Sequence, residues 1–382
     1  MTELTRAPTA PAELLRRLGL IDWLYALALV AGAGYALMHF CGFMDAYEKS
    51  FLVLAVPLFS WLGWRWSGLR NMLIAAAIAA FASITLYAQD LGRAEKVFLL
   101  KYFLSSQTAI MWMSALVFFA TGAYWLGVVA RAQFASRLGS ALTWSAAGAG
   151  LTGLLVRWYE SYLISPDVGH IPVANLYEVF VLFTVLTALI YLSYERRYAT
   201  RQLGPFVLLV ISAAVGFLLW YSFTRNAQDI QPLIPALQSY WMKIHVPANF
   251  IGYGAFAVAA MVAVAWLCAE RGILKAHIPP LEVLDDVMYR AIGIGFAFFT
   301  VATILGALWA AEAWGTYWQW DPKETWALIV WLNYAAWLHM RLTKGLRGAV
   351  LAWWALIGLV VTSFAFLGVN MVLSGLHSYG SL

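Results

Sequence analysis

Apolar runs of about 20 residues recur along the whole chain, and about 20 residues is the length an α-helix needs to cross a hydrocarbon core roughly 30 Å thick. Such runs fall at about 21–40, 51–64, 71–89, 108–130, 140–157, 173–194, 205–223, 247–269, 291–311, 324–342 and 348–372. Inside lipid every backbone polar group needs an internal partner, so a chain of this kind crosses as helices or as a closed barrel. Alternating ten-residue strands, the mark of a barrel, are not seen. Composition points the same way. Apolar residue types make up 63% and charged types 11% of 382 residues, against about 25% charged in a soluble domain. The fold class expected is therefore all-α: a polytopic integral membrane protein of about 11 transmembrane helices.

Charge gives the orientation, because cytoplasmic loops are enriched in Lys and Arg. With the N-terminus in the cytoplasm and the C-terminus outside, sixteen of the 24 basic residues lie on the inner side. The loops holding Arg196, Arg197 and Arg201, and Arg341, Lys344 and Arg347, carry most of the bias. The net charge of +5 is spread over such short loops, with no basic stripe for nucleic acid. The surrounding partner is membrane lipid. Residues 1–20 read as a polar cytoplasmic tail before a retained first span. Cys41 and Cys268 lie far apart and form no CxxC pair, so no dithiol chemistry is expected of this chain.

One outer loop stands apart. Seven of the 20 tryptophans lie between Trp309 and Trp337, and the densest stretch includes Trp314, Gly315, Trp318 and Trp320. Tryptophan collects at membrane interfaces in general, which accounts for single indoles. A cluster this dense around a glycine, which permits a turn or a close approach, also makes a flat apolar floor suited to a porphyrin. Asp321, Pro322 and Glu324 have the order of an N-cap, a first helical residue and a capping-box acid. They start the next helix and so fix where the indoles point.

Of six histidines, His245 and His377 flank the last four spans on the outer side, level with the tryptophan loop. Pro247 reads as the start of the helix that follows His245. Two imidazoles on opposite faces of a porphyrin fill both axial positions of its iron. His339 lies seventeen residues beyond Pro322, about 25 Å along a helix. It is either a snorkelling residue at the inner boundary or an intramembrane functional group. His39, His170 and His277 are not expected to be ligands.

Trp314-Gly315-x-x-Trp318-x-Trp320-Asp321-x-x-Glu324 resembles the WWD signature of the haem-handling cytochrome c assembly proteins. By length the chain is similar to the CcsA/ResC type, also called CcsB, of the system II synthase. The likeness covers roughly residues 170–382, so residues 21–165 are expected to be accessory helices and 166–382 the WWD membrane domain. The resemblance implies that His245 and His377 ligate the iron of haem b at the tryptophan-rich site. It implies that His339 holds haem within the membrane together with a histidine of a ResB/Ccs1-type membrane protein. Trp314, Gly315, Trp318, Trp320, Asp321 and Glu324 would form the haem-binding segment. The implied activity is delivery of haem to the CxxCH thiols of apocytochrome c and its attachment there, as a subunit of a holocytochrome c synthase, or haem lyase. The implied site is the periplasmic face of the bacterial inner membrane. The alternative is a haem exporter or chaperone that presents haem and leaves thioether formation to another protein.

Overall fold

The computed structural model describes residues 18–373 and 375, and among them there are helices and no strands. Eleven long helices follow in order: α1 (Leu20–Phe40), α2 (Ala46–Arg65), α3 (Ser67–Tyr87), α4 (Ser106–Val129), α5 (Gln133–Ile164), α6 (Leu176–Arg197), α7 (Gly204–Arg225), α8 (Met242–Glu270), α9 (Leu281–Trp314), α10 (Pro322–Thr343) and α11 (Ala349–Val372). Each coincides with one of the apolar runs. Eight are long and apolar enough to cross a membrane. The other three are α2, α5 and α10.

The chain divides into two compact units, Met1–Ile78 and Ala79–Leu382. In the first, Asp45 and Glu48 form a reciprocal capping box that starts α2. α1 and α2 pack closely, and a Cβ at Gly63 would stand 2.5 Å from the ring of Tyr25. The Trp64 indole donates to the Asp22 carbonyl at 3.0 Å, and Arg70 pairs with the Asp22 carboxylate.

The second unit is tied together by buried carboxylates, each with its own set of donors, as burial of a charge requires. Glu160 accepts from the Tyr87 hydroxyl at 2.5 Å and the Ser106 N–H at 2.9 Å. Glu195 accepts from Tyr124 at 2.6 Å, Ser140 at 2.6 Å and Tyr191 at 2.8 Å. Glu178, in the first turn of α6, accepts from Arg157 Nε at 2.8 Å. Arg157 also donates to the carbonyls of Gln228 (2.6 Å) and Asp229 (3.3 Å), which fastens the start of the 226–241 segment to α5. That anchoring matters because the segment leads directly into α8 and the site below.

Candidate functional site: an aromatic cavity with one histidine in its wall

α8 begins at Met242, five residues before Pro247. The expectation that Pro247 starts this helix is corrected: it lies inside, where its missing N–H removes one ladder bond. His245 is therefore borne on a helical turn and not on a loop. His245, Asn249 and Tyr253 follow at intervals of four, one face of α8, and all three line an open cavity. From α9, Phe299, Thr303 and Gly306 present the opposing face, again at helical spacing.

The imidazole is fixed in two ways. Its Nδ1 lies 2.7 Å from the carbonyl oxygen of Ala302. A carbonyl only accepts, so Nδ1 carries the proton, and in the neutral ring Nε2 bears the lone pair. The ring also rests against Gly306, where a Cβ would stand 2.9 Å from Cε1 and 3.1 Å from Nδ1. A Cβ there would push the imidazole off this seat.

Trp309 forms the rest of this wall. It is buried, donates from Nε1 to the Ala236 carbonyl at 2.7 Å, and its ring lies 5.9 Å from that of His245. Val173 and Met242 are buried with it, and Trp241 and Trp314 pack around them. The Ser239 hydroxyl donates to the Glu312 carboxylate, a second tie between the pre-α8 segment and the end of α9.

The tryptophan-rich segment follows. Gly315, with φ +80°, terminates α9 by donating its N–H to the Ala311 carbonyl at 3.0 Å, the usual left-handed helix stop. Asp321 caps α10, accepting from the Lys323 N–H at 2.8 Å. Glu324 closes the capping box and does more. Its Oε2 accepts from the N–H groups of both Gln319 (2.7 Å) and Asp321 (3.2 Å). This clamp holds the intervening Trp320 at φ +59°, a conformation a bulky residue adopts only when its surroundings impose it. The Trp320 indole is 68% exposed and meets Trp318 edge to face at 5.8 Å. The other carboxylate oxygen, Oε1, is buried without a hydrogen-bond partner, and Glu324 lines the cavity.

Of the residues read from the sequence, the structure thus brings His245, Trp318 and Glu324 to the cavity. Trp314 stands behind Trp309 at 5.2 Å, Gly315 and Asp321 shape the loop, and Trp320 projects from it. His377 lies outside the described residues. Gly375, two residues before it, packs on Asp321 and Pro322 so closely that a Cβ would collide with the Asp321 carboxylate. His339 is elsewhere: it is exposed on α10, on one stripe with Ile329, Leu332 and Ala336. Sequence reasoning passed over Asn249, Gly306, Trp309 as a wall and Lys323 as a cavity residue. The four-residue spacing from His245 was the available signal for Asn249.

These features define a class: a polytopic helical membrane protein with an aromatic cavity, one oriented imidazole in its wall and an indole-rich segment at its edge. The chain belongs to the cytochrome c assembly protein family, whose model matches residues 173–377. It is 39% identical to the cytochrome c biogenesis protein CcsA of Chlamydomonas reinhardtii over 233 residues, which take in 59% of this chain and 64% of that protein, less than two thirds of its length. It is 36% identical to the CcsA of Parasynechococcus marenigrum over 261 residues, 59% of this chain and 81% of the relative. Among solved structures, cytochrome c haem lyase CcmF superposes with a TM-score of 0.55 at 20% identity, covering 69% of this chain and 46% of that one. That likeness is one of fold.

Proposed function

We propose that this chain handles haem during cytochrome c maturation, holding it in the cavity beside the tryptophan-rich segment and presenting it for attachment to apocytochrome c. One observation carries the reading: His245 is fixed with Nδ1–H on the Ala302 carbonyl at 2.7 Å, so the nitrogen with the lone pair is Nε2. Protein imidazoles that ligate metals are oriented by such a bond on the other nitrogen. Among the described residues no group of three His, Cys, Asp or Glu side chains could hold a bare ion. An iron that brings its own four in-plane nitrogens needs only axial ligands, and His245 and His377 are assigned to them.

Trp318 and Trp309 supply apolar contact to the flat ring, while Trp314, Gly315, Trp320, Asp321 and Glu324 hold the segment in shape. The attachment step needs little from the side chains. Each cysteine S–H of a CxxCH site adds across a vinyl C=C, the hydrogen and the sulfur both ending on the former vinyl group, and no atom leaves. Holding the reactants in register is the protein's contribution. The charge bias of the loops supports a cavity on the outer face, the periplasmic side of a bacterial inner membrane.

His339 lies exposed on an apolar stripe of α10. A haem held there takes its second ligand from outside this chain, in keeping with a ResB/Ccs1-type partner. The test is the absorption spectrum of purified protein loaded with haem. A bis-imidazole spectrum is expected in the wild type and is lost in His245→Ala, along with cytochrome c maturation in a host lacking its own system. Added imidazole restores both in part. Wild-type spectrum and maturation in His245→Ala would refute the assignment. Maturation that requires a separate ligating protein, with haem binding intact, would make the chain a haem exporter or chaperone.

A further inference from the structure

The cavity contains a buried amine that the reading above does not use. Lys323 lines it beside Ala327, Phe366 and Asn370. Its Nζ donates to the Phe366 carbonyl at 2.8 Å and to Asn370 Oδ1 at 2.9 Å, and lies 5.5 Å from the centre of the Phe366 ring. Both acceptors are neutral. An ammonium has three hydrogens to give, and two are engaged. Among the described residues no carboxylate pairs with this nitrogen. Asp321, two residues away, is turned to the cap, where it accepts from the Lys323 backbone N–H at 2.8 Å. Glu324 is turned to its backbone clamp.

A cation in this position is costly unless something compensates it. A surface lysine would have avoided this by reaching water. Here two hydrogen bonds hold the amine inward. What completes such a site is an anionic group on whatever enters the cavity.

We propose that Lys323 is the anion-recognition residue of the cavity, making a charge-assisted hydrogen bond to a carboxylate on the edge of the bound ring, which for haem is a propionate. This rests on the haem reading. The two neutral acceptors aim the ammonium, leaving its third hydrogen for the ligand. The propionate edge turns to Lys323 and the opposite edge, with the vinyl groups, turns away from it. Orientation of the vinyls is what attachment to a thiol requires.

The test compares haem with haem dimethyl ester, whose propionates are blocked, by Soret titration of the purified full-length protein in detergent. Wild type should bind haem about tenfold to a hundredfold more tightly than the ester, the range of one charge-assisted hydrogen bond. Lys323→Met should bind both with the ester's affinity while keeping the bis-imidazole spectrum, and Lys323→Arg should restore the preference for haem. Should Lys323→Met fail to fold, the wild-type comparison decides alone. Equal affinity for haem and ester, with a normal spectrum, would overturn the subsite and leave the haem reading standing. A wild type that binds neither overturns the haem reading and the subsite together.

Discussion

Gly306→Ala separates the site from the scaffold, because it weakens the first and leaves the second nearly unchanged. A methyl carbon at position 306 would stand 2.9 Å from His245 Cε1. Carbon atoms settle at about 3.5–4.0 Å, so the imidazole must retreat by roughly 0.6 Å. The Nδ1···O distance to Ala302, now 2.7 Å, would lengthen to about 3.3 Å, past the usual range for such a bond. Loss of that bond costs about 1 kcal/mol. The same substitution inside a helix returns about 0.8–1.0 kcal/mol through backbone propensity. The unfolding midpoint in detergent should therefore move by only a degree or two. Haem affinity, which depends on the direction of Nε2, should fall about tenfold, and Gly306→Leu should abolish it. The assay is Soret titration beside a thermal unfolding curve on the same preparation. Wild-type affinity in Gly306→Leu would refute the claim that His245 is seated by this glycine and binds iron from that seat.

Three further outcomes follow from the same network. Arg157→Met leaves Glu178 charged and buried, and should cost about 3–5 kcal/mol, read as a large drop in unfolding midpoint. Glu178→Gln added to it should recover much of the loss, and a midpoint unchanged by Arg157→Met would count against the ion pair. His170 is buried, which disfavours its protonation, but the Glu178 carboxylate 3.7 Å away and a hydrogen bond to the Val168 carbonyl prevail and hold its pKa above the usual 6.5. The folded state thus binds this proton more tightly than the unfolded one. The added stability should be complete below pH 6.5 and vanish as pH rises through the elevated value, and His170→Gln should flatten that slope in unfolding curves. Asp321→Ala removes the α10 N-cap, expected to cost about 1 kcal/mol. It should also loosen the indole loop, seen as faster proteolysis between Gly315 and Trp320, and an unchanged cleavage rate would contradict it.

The helices were legible because the lipid requirement writes them as uninterrupted apolar runs. The capping box at Asp321–Glu324 was legible because it is local: its partners lie three residues apart. The second use of Glu324, clamping the peptides around Trp320, was not. It depends on a left-handed tryptophan that no propensity forecasts. Pro247 misled for a related reason. Proline is common at helix starts, and nothing in the local sequence indicates that α8 begins five residues earlier, where Trp309 and the Ser239–Glu312 contact hold the preceding segment. Gly306 and Lys323 acquire their roles only from residues on other helices. A glycine in an apolar span and a lysine after Pro322 are unremarkable as letters.

The end of α11 has a consequence for how the cavity is completed. At Phe364–Gly368 the helix widens into a π-turn, with the Val369 N–H reaching back to the Phe364 carbonyl. Such a turn holds one residue more than an α-turn would. That extra residue acts as a phase adapter. Upstream of it the helix keeps the register that packs Ala352 and Ala355 in the interior, and downstream the register is offset by one residue, about 100° around the axis. The offset delivers Asn370 to Lys323 and carries the chain on to Gly375 against Asp321. Removing one residue from this turn would leave a regular helix and an undisturbed interior, yet rotate Asn370 away from the amine and carry Gly375 off Asp321.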